Sequence, residues 1–510
     1  MITELYKTFH EDYWNVWPSA KTLKNINLFI NMSQVNNLIC LCDNLYNLQY
    51  INNTSNWNTS NIKSFSQTFN NCSNLLYLDV SNWKTNNVNN MYSLFSNCQN
   101  LTMLNVSNWN ISNVTMLAWI FADCQNLTTL DVSNWDISNV KNLYGAFQNC
   151  YNLTTLNVSN WNVNQTSSLS KVFGNCYNLQ LIGIENWQPQ NIRDVGGIFE
   201  NCQNLSSSLN LNNWNLYNTY GSIPFYGMFD GCSNITDLNC LNWNINNAPS
   251  VYHMYANMAN LRNVNCSNWS TNNLRNLSSM FYWSRNIISI NLANWNVENV
   301  TDFNLFSGSP GNLQYLDLTN WNPKNTTSLV NMFRFFDNLI DLKCENWNIQ
   351  NVTNFYETFY HCSNLVNFNI SNWQVKNAQN LAETFYECNH MTDLNLNSWI
   401  VNNVNNLYHT FYDCNNLKNL DISSWNLSKV DNLYQTFGWC NNLTNASLEN
   451  IGKALSTINA WNKPFNNLYK NNTSGPFYGY NKEINNTVVS RATALALKNN
   501  GWIFWGMNSL

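Results

Sequence analysis

The stretch DVSNWDISNVKNLYGAFQNCYNL, residues 131–153, decides the reading of the whole chain, because the flanking sequence repeats it. One line earlier stands VSNWNISNV (106–114), and one line later NVSNWNVNQ (157–165). The tryptophans mark the period: Trp57, Trp83, Trp109, Trp135, Trp161 and Trp187 are each 26 residues apart. Trp214 and Trp243 follow at 27 and 29, and the 26-residue step resumes through Trp269, Trp295, Trp321, Trp347, Trp373, Trp399 and Trp425. Self-similarity at a fixed period of this length marks a solenoid, here of fifteen units.

One unit can be read from Leu75. Leu75, Leu78 and Val80 predict a short strand with one buried face. Ser81-Asn82-Trp83 turns the corner, the indole filling it. Val88, Met91 and Leu94 then recur at three-residue spacing with Phe95 beside the last, which predicts a helical turn or two laid against the strand. Cys98 and Asn100 lead into the next strand at Leu101. Burying six or seven large side chains per unit contributes roughly 1.5–3 kcal/mol apiece. Ordering the backbone of a 26-residue unit costs roughly 1–2 kcal/mol per residue. A lone unit therefore does not fold, and only stacking completes it. With strands about 4.8 Å apart, fifteen rungs give a parallel sheet roughly 70 Å long.

The L-x-x-L-x-L core resembles leucine-rich repeats. The 26-residue form with S-N-W, N-V and F-x-x-C is similar to the BspA-like bacterial surface repeats, over residues 45–443. The expected fold is a repeat solenoid: a leucine-rich-repeat-like right-handed array with a parallel β-sheet on one side, short helical turns on the other, and caps at both ends. The resemblance implies a non-enzymatic surface or adhesion protein of bacteria, some protists and their viruses. The ending ATALALKNNGWIFW (492–505) resembles the helix-then-GW terminal cap of such repeats in phage-like contexts.

Composition agrees with an array rather than a tail. The formal charge is −5, 10% of residues are charged, and more than a fifth are asparagine, so solubility rests on amides and hydroxyls. Apolar residues at 44% and aromatics at 15% exclude a disordered polar tract. With no basic stripe or tail, no nucleic-acid partner is expected. Without a run of about 18 apolar residues, no membrane insertion is expected either. The opening MITELYKTFHEDYWNVW lacks a charged-then-apolar signal pattern. Triplets such as Asn71-Cys72-Ser73 would risk modification in a eukaryotic secretory pathway, which argues against that origin.

Three segments are expected. Residues 1–44, with Tyr6, Phe9, Tyr13, Trp14 and Trp17, read as an N-terminal cap or docking segment, and residues 45–443 as the solenoid. Residues 444–510 read as a C-terminal α/β cap, with six Lys and Arg against two Glu where the rest of the chain is net acidic. There Leu448, Ile451 and Leu455 have helical spacing, Thr493 to Leu497 read as a second helix, and Trp502-Ile503-Phe504-Trp505 is an apolar block suited to sealing the last rung. Both ends of an array need such cover, because each presents an unpaired edge.

Sixteen cysteines suggest a disulfide or metal framework until they are placed in the repeat. Cys72, Cys98, Cys124, Cys150, Cys176, Cys202, Cys232, Cys362, Cys388, Cys414 and Cys440 form one column, which Cys42 joins. Cys240, Cys266 and Cys344 stand three residues before a tryptophan, where other units carry Val, Ile or Leu, and Cys40 completes the set. In the main column Met258, Ser284, Pro310 or Phe336 substitute elsewhere, so the position reads as a small hydrophobe and not a metal ligand.

His10, His253, His361, His390 and His409 are scattered, and no Ser-His-Asp order, phosphate loop or HExxH is present. Glu357 and Glu383 occupy one position in adjacent units, with His409 next in the column. Two carboxylates about 5 Å apart would suit a retaining glycosidase. Helical neighbours, however, pack at roughly 8–10 Å, so a solvated face is expected. No catalytic residue, cofactor or metal site is assigned.

Two columns offer partner surfaces. Four residues before the tryptophans stand Asp79, Asn105, Asp131, Asn157, Asn210, Asn239, Asn265, Asn291, Asp317, Asn369, Asn395 and Asp421. They read either as an amide ladder bonded rung to rung or as a glycan- or protein-facing surface. The residue after the repeat Phe changes from Asn70, Ser96, Ala122, Gln148 and Gly174 to Tyr282, Arg334, Tyr360, Tyr386 and Tyr412. Tyr356 and Tyr408 precede two of these by four residues, and Trp283, Arg285 and Phe335 lie beside others. Exposed aromatic rows favour interfaces and sugar stacking; plain surface is the other reading. The stretches 216–227, 281–286, 305–312 and 332–336 break the pattern and are expected on one flank.

The expected function is recognition without catalysis, toward a protein or a cell-surface glycan. One setting is a virion surface, phage tail or capsid, contacting a host or, through residues 1–44, neighbouring virion proteins. The other is a secreted or cell-surface bacterial adhesin. Glycoside hydrolysis is a minor alternative.

Overall fold

The computed structural model describes residues 22–27, 35–306, 310–461, 463–465, 468, 474–479 and 488–510. The aromatic run Tyr6 to Trp17 lies outside the described residues. The chain forms two compact units, Met1–Leu261 and Arg262–Leu510, and each is a stack of parallel rungs.

In the first unit β1 (Asn25–Asn27) pairs with β2 (Tyr50–Asn52), β3 (Thr155–Asn157) with β4 (Gln180–Ile182), and β5 (Ser208–Asn210) with β6 (Asp237–Asn239). Single bridges, such as Tyr50 to Tyr77 and Met103 to Thr129, fill rungs between them. In the second unit β7 (Asn263–Asn265), β8 (Ser289–Asn291), β9 (Tyr315–Asp317), β10 (Asp341–Lys343) and β11 (Asn367–Phe368) make one five-stranded sheet. There β12 (Asp393–Asn395) pairs with β13 (Asn419–Asp421). Every pairing is parallel and in register, so Leu316 sits level with Ile290 and Leu342. The middle residue of each rung points into the core and its two neighbours outward, the period-2 alternation of a half-buried strand.

The opposite side corrects the expectation of helical turns. Among the described residues, the α-helices are α1 (Asn445–Leu455) and α2 (Arg491–Asn499), both beyond the repeats. Each rung's back is instead a ribbon of overlapping β-turns. Leu94 N–H donates to Met91 O, Ser96 to Ser93 O and Cys98 to Phe95 O, whereas Met91, Ser93, Phe95 and Asn97 donate to Met116, Ala118, Ile120 and Ala122 of the next rung. The alternation needs φ > 0 at two positions four residues apart, such as Ser93 (51°) and Asn97 (59°), or Gly145 (59°) and Asn149 (61°). An α-helix cannot accommodate such residues. Three-residue apolar spacing suits either structure, which is why it suggested a helix. A second ladder of parallel bridges runs beside the ribbon through Ser64, Asn90, Met116, Asn142, Ser168 and Asp194.

Both sides of a rung therefore sit one backbone hydrogen bond from the next, and the core side chains stack face to face. Trp83, Trp109 and Trp135 stack nearly parallel at 6.2 and 6.3 Å, and Phe69, Phe95 and Phe121 follow at 5.6 and 5.7 Å. Most of the indoles also have a polar role: Trp109 Nε1 donates to Val80 O at 3.2 Å and Trp425 Nε1 to Leu396 O at 3.0 Å, whereas Nε1 of Trp57, Trp214 and Trp347 is buried without such a bond. The cysteine column does the same. All sixteen cysteines are free and buried, and Cys124 Sγ donates to Phe95 O at 3.1 Å and Cys440 Sγ to Phe411 O at 2.8 Å. Burial pushes these thiols well above their ordinary range, which keeps the donating proton in place. The position is thus a donor as well as a small hydrophobe. Thr358, Thr384, Thr410 and Thr436 add hydroxyl bonds to the preceding rung at Leu329, Phe355, Leu381 and Leu407 O.

The amide ladder exists, though in a different column from the one expected. Asp79, Asn105 and Asp131 accept locally, from the backbone N–H and hydroxyl of Ser81, Ser107 and Ser133. Rung-to-rung amide bonds join the second left-handed position instead: Asn97 to Asn71 at 2.8 Å, Asn175 to Asn149 and Asn201 to Asn175 at 2.7 Å.

Past the last rung, α1 lies on β13. Ser447 Oγ accepts from Leu420 N–H at 2.9 Å and donates to Lys418 O at 2.8 Å, occupying the edge as another strand would. Phe477 stacks on Phe437 at 5.3 Å, and Phe437 N–H donates to Pro476 O. The capping Ser490 of α2 is held by Glu449, and Trp502 Nε1 donates to Leu455 O at 3.0 Å. The 502–505 block does not enter the core as a whole: Trp502 and Phe504 are buried, Ile503 and Trp505 exposed.

Two outcomes follow from this core. Trp243, fully buried and bonded to Leu211 O at 2.8 Å, leaves a large cavity when replaced, so Trp243→Ala should lower unfolding free energy by about 3–5 kcal/mol in urea titrations. In native buffer the column thiols should resist alkylation, and all sixteen should react once the chain is unfolded without reductant, as counted by mass spectrometry.

Candidate functional site

The left-handed positions of the second unit's turn ribbon carry the unit's chemistry. The first position reads Glu357, Glu383, His409 and Gln435 in successive rungs, with φ from 49° to 55°. The second reads Phe335, His361, Glu387, Asp413 and Trp439, with φ from 55° to 62°. Non-glycine residues rarely hold this conformation, at a cost of roughly 1–2 kcal/mol each; here the rung-to-rung hydrogen bonds impose it.

Down the first column the groups form a chain. Arg334 Nε lies 2.8 Å from Glu357 Oε2, and its guanidinium covers the rings of Phe335 (4.6 Å) and Tyr360 (5.2 Å). Glu357 lies beside Glu383 and Tyr356 and raises the pKa of both. Next, His409 Nδ1 is 3.9 Å from Glu383 Oε1, and its Nε2 lies 3.0 Å from Gln435 Oε1. In the second column His361 bridges Asp337 at 4.0 Å and Glu387 at 2.8 Å. Between the columns run the tyrosines, Tyr360 to Tyr386 at 4.7 Å and Tyr386 to Tyr412 at 5.0 Å, both stacked. Tyr408 stacks on Tyr434 at 5.4 Å, and the His409 ring lies 3.9 Å from Tyr408 and 4.6 Å from Tyr412.

The solvated face expected for Glu357 and Glu383 is therefore corrected. The turn ribbon brings rungs closer than helices could, and the Glu357 residue is only 6% exposed. Burial first, then the charge and hydrogen bond of Glu357, push Glu383 up to about 6, against the pull of Arg334. The Glu357 hydrogen bond, ahead of burial, pushes Tyr356 up to about 12. Burial lowers His409, so at neutral pH it offers Glu383 no full positive charge. The pair does not suit a glycosidase, because Glu357 is buried and tied to Arg334 at 2.8 Å instead of facing an open cleft. Nor do the tyrosines offer stacking platforms: their faces are turned to one another, leaving hydroxyl edges outward.

Of the residues picked out from sequence, Arg334, Phe335, Tyr356, Tyr360, Tyr386, Tyr408 and Tyr412 come together in this ridge. Tyr282, Trp283 and Arg285 form a cluster of their own, with the guanidinium 3.8 Å over the indole. Sequence reasoning missed His361, Glu387, Tyr434 and Trp439. Their signal was present, two residues after the repeat Phe or three before it, but it becomes visible only once the turn ribbon is known. Of the irregular stretches, 216–227 falls in the first unit and 281–286 and 332–336 in the second, while 307–309 lie outside the described residues.

A stack of near-identical rungs carrying a graded row of side chains defines a repeat-solenoid protein of the leucine-rich-repeat kind. More particularly, the chain belongs to the family described as "Mycoplasma protein of unknown function, DUF285", whose repeats match residues 36–130, 116–222, 223–339 and 327–451. Among solved structures it is similar to a leucine-rich repeat protein from Bacteroides ovatus (14% identity, 79% of this chain and 74% of that one, TM-score 0.29). It is also similar to a leucine-rich cell surface protein from Faecalibacterium prausnitzii (12%, 78% and 87%, TM-score 0.29) and to a leucine-rich repeat protein from Leptospira interrogans (15%, 78% and 95%, TM-score 0.22). No curated protein matches.

The Glu383 shift sets a pH dependence. A carboxyl whose folded pKa lies above its unfolded value binds its proton more tightly in the folded chain. The resulting stability is fully present below the unfolded value and is lost as pH rises through about 6. Glu383→Gln, which keeps the shape without the charge, should melt higher than the parent near pH 8, with the difference vanishing near pH 4, in thermal scans across pH.

Proposed function

We propose that the protein is a non-enzymatic recognition scaffold whose second-unit ridge binds a protein partner. The observation that carries this is the ridge itself. Arg334, the Glu357–Glu383 pair, His409 and the row Tyr360, Tyr386 and Tyr412 are held in one geometry by backbone bonds, ion pairs and ring stacking. Pre-ordered tyrosine and arginine side chains lose little entropy on association, and such residues dominate protein interfaces.

Of the two settings raised by the sequence, membership of a family described for Mycoplasma supports the bacterial one, surface-displayed or secreted. The virion setting draws on the resemblance of residues 492–505. Mass spectrometry of envelope, medium and particle fractions from the producing culture separates them.

To test the ridge, labelled full-length protein is titrated onto intact bacterial cells, with and without prior protease treatment of the cells. Binding should be saturable, lost after protease, and weakened about tenfold by Tyr386→Ala with Tyr412→Ala at unchanged Tm. Protease-resistant binding, or binding indifferent to the two tyrosines, would overturn a protein-binding ridge.

A further inference from the structure

The first unit carries a groove on its sheet face. It encloses about 600 Å³ across four rungs. One wall is led by Tyr77 and Met103, which are 54% and 58% exposed. The other is a column of Asp79, Asn105, Asp131 and Asn157. Among the described residues Tyr77 makes no ring contact, so its face is open, unlike those of the stacked tyrosines of the second unit.

The polar wall is pre-set. In each rung a serine hydroxyl two residues on donates to one side-chain oxygen: Ser81 to Asp79 at 2.7 Å, Ser107 to Asn105 at 2.9 Å, Ser133 to Asp131 at 2.7 Å and Ser159 to Asn157 at 2.6 Å. That bond fixes the rotamer and leaves the other terminal atom of each group for a ligand. The wall therefore offers carboxylate, amide, carboxylate, amide, one per rung, at the strand spacing of about 4.8 Å. The bonds from Ser133 hold the Asp131 carboxyl below the usual range, so it acts purely as an acceptor.

We propose that this groove binds a linear, uncharged oligosaccharide laid along the stack, about one pyranose per rung. Sugar hydroxyls donate to Asp79 and Asp131 and accept from the amides of Asn105 and Asn157. The apolar face of one ring rests on Tyr77 and Met103, the usual division of labour in a small-molecule site. Spacing separates this occupant from an extended peptide. Peptide side chains on one face recur about every 6.7 Å, twice the rise per residue, and fall out of step by about 2 Å at each rung. An extended pyranose chain repeats close to the rung spacing and stays in step. The two carboxylates disfavour an anionic polymer. The site lies in the other unit from the protein-binding ridge and does not depend on it.

The test is calorimetric titration of the full chain with hexamers of β-1,4-linked glucose and of β-1,4-linked N-acetylglucosamine, with the corresponding dimers, and with a neutral hexapeptide. At least one hexamer should bind, its dimer about tenfold more weakly, and Tyr77→Ala and Met103→Lys should each weaken the hexamer about tenfold. Both side chains are exposed, so unchanged melting of these variants confirms that folding is intact. The Tyr386→Ala, Tyr412→Ala variant should bind the hexamer as the parent does, whatever becomes of the ridge. Failure of both hexamers to bind, binding that survives Tyr77→Ala and Met103→Lys, or equal binding of the peptide would overturn the proposal.

Discussion

Every second backbone N–H of the turn ribbon is donated to the following rung, and the rest of the structure depends on that bond. In a leucine-rich array with helices on its back, rungs are closely spaced only along the sheet and spread apart behind it. Here the back is hydrogen-bonded as well, as from Met91, Ser93, Phe95 and Asn97 into the next rung. Equal spacing on both sides brings whole rungs into van der Waals contact, so the tryptophan and phenylalanine columns stack nearly parallel instead of splaying.

The same register solves the polar problem of a chain with few charges. A turn-rich backbone leaves many carbonyls inside, and a buried carbonyl without a donor costs about 1–3 kcal/mol. Three side-chain columns supply donors to the preceding rung: indole Nε1, cysteine Sγ and threonine Oγ1. That accounts for cysteine recurring in one column without bridging. Its thiol is small, apolar enough for the core, and long enough to reach a carbonyl. The left-handed positions are served by asparagine, whose amide tolerates φ > 0 and bonds to its counterpart one rung away.

Where the first left-handed position holds Glu357, Glu383 and His409, the scaffold presses together groups that water would separate. The resulting ridge is half-buried and rigid, and its tyrosines show edges outward. On the sheet face of the first unit, Tyr77 and Met103 are more than half exposed beside a serine-fixed row of carboxylates and amides. Two surfaces with different chemistry thus arise from one repeat through the choice of residues at outward positions.

The sequence alone determined the period, the buried columns and the solenoid class, because a 26-residue repeat of Leu, Val, Trp, Phe and Cys can bury its apolar positions only by stacking. It also picked out Arg334, Tyr360, Tyr386 and Tyr412 as one column, since residues at equal repeat positions must lie in line. Only the tertiary structure decided the nature of the back. Val88, Met91 and Leu94 satisfy a helix and a turn ribbon equally, and the choice lies in φ at Ser93 and Asn97, which hydrogen bonds to the next rung impose. From that followed what composition does not encode: that Glu357 is buried, that its charge raises Glu383, and that Asp79 bonds to its own rung's Ser81 rather than across the stack. Those contacts depend on rung spacing, and spacing is a property of the assembled array and of no single repeat.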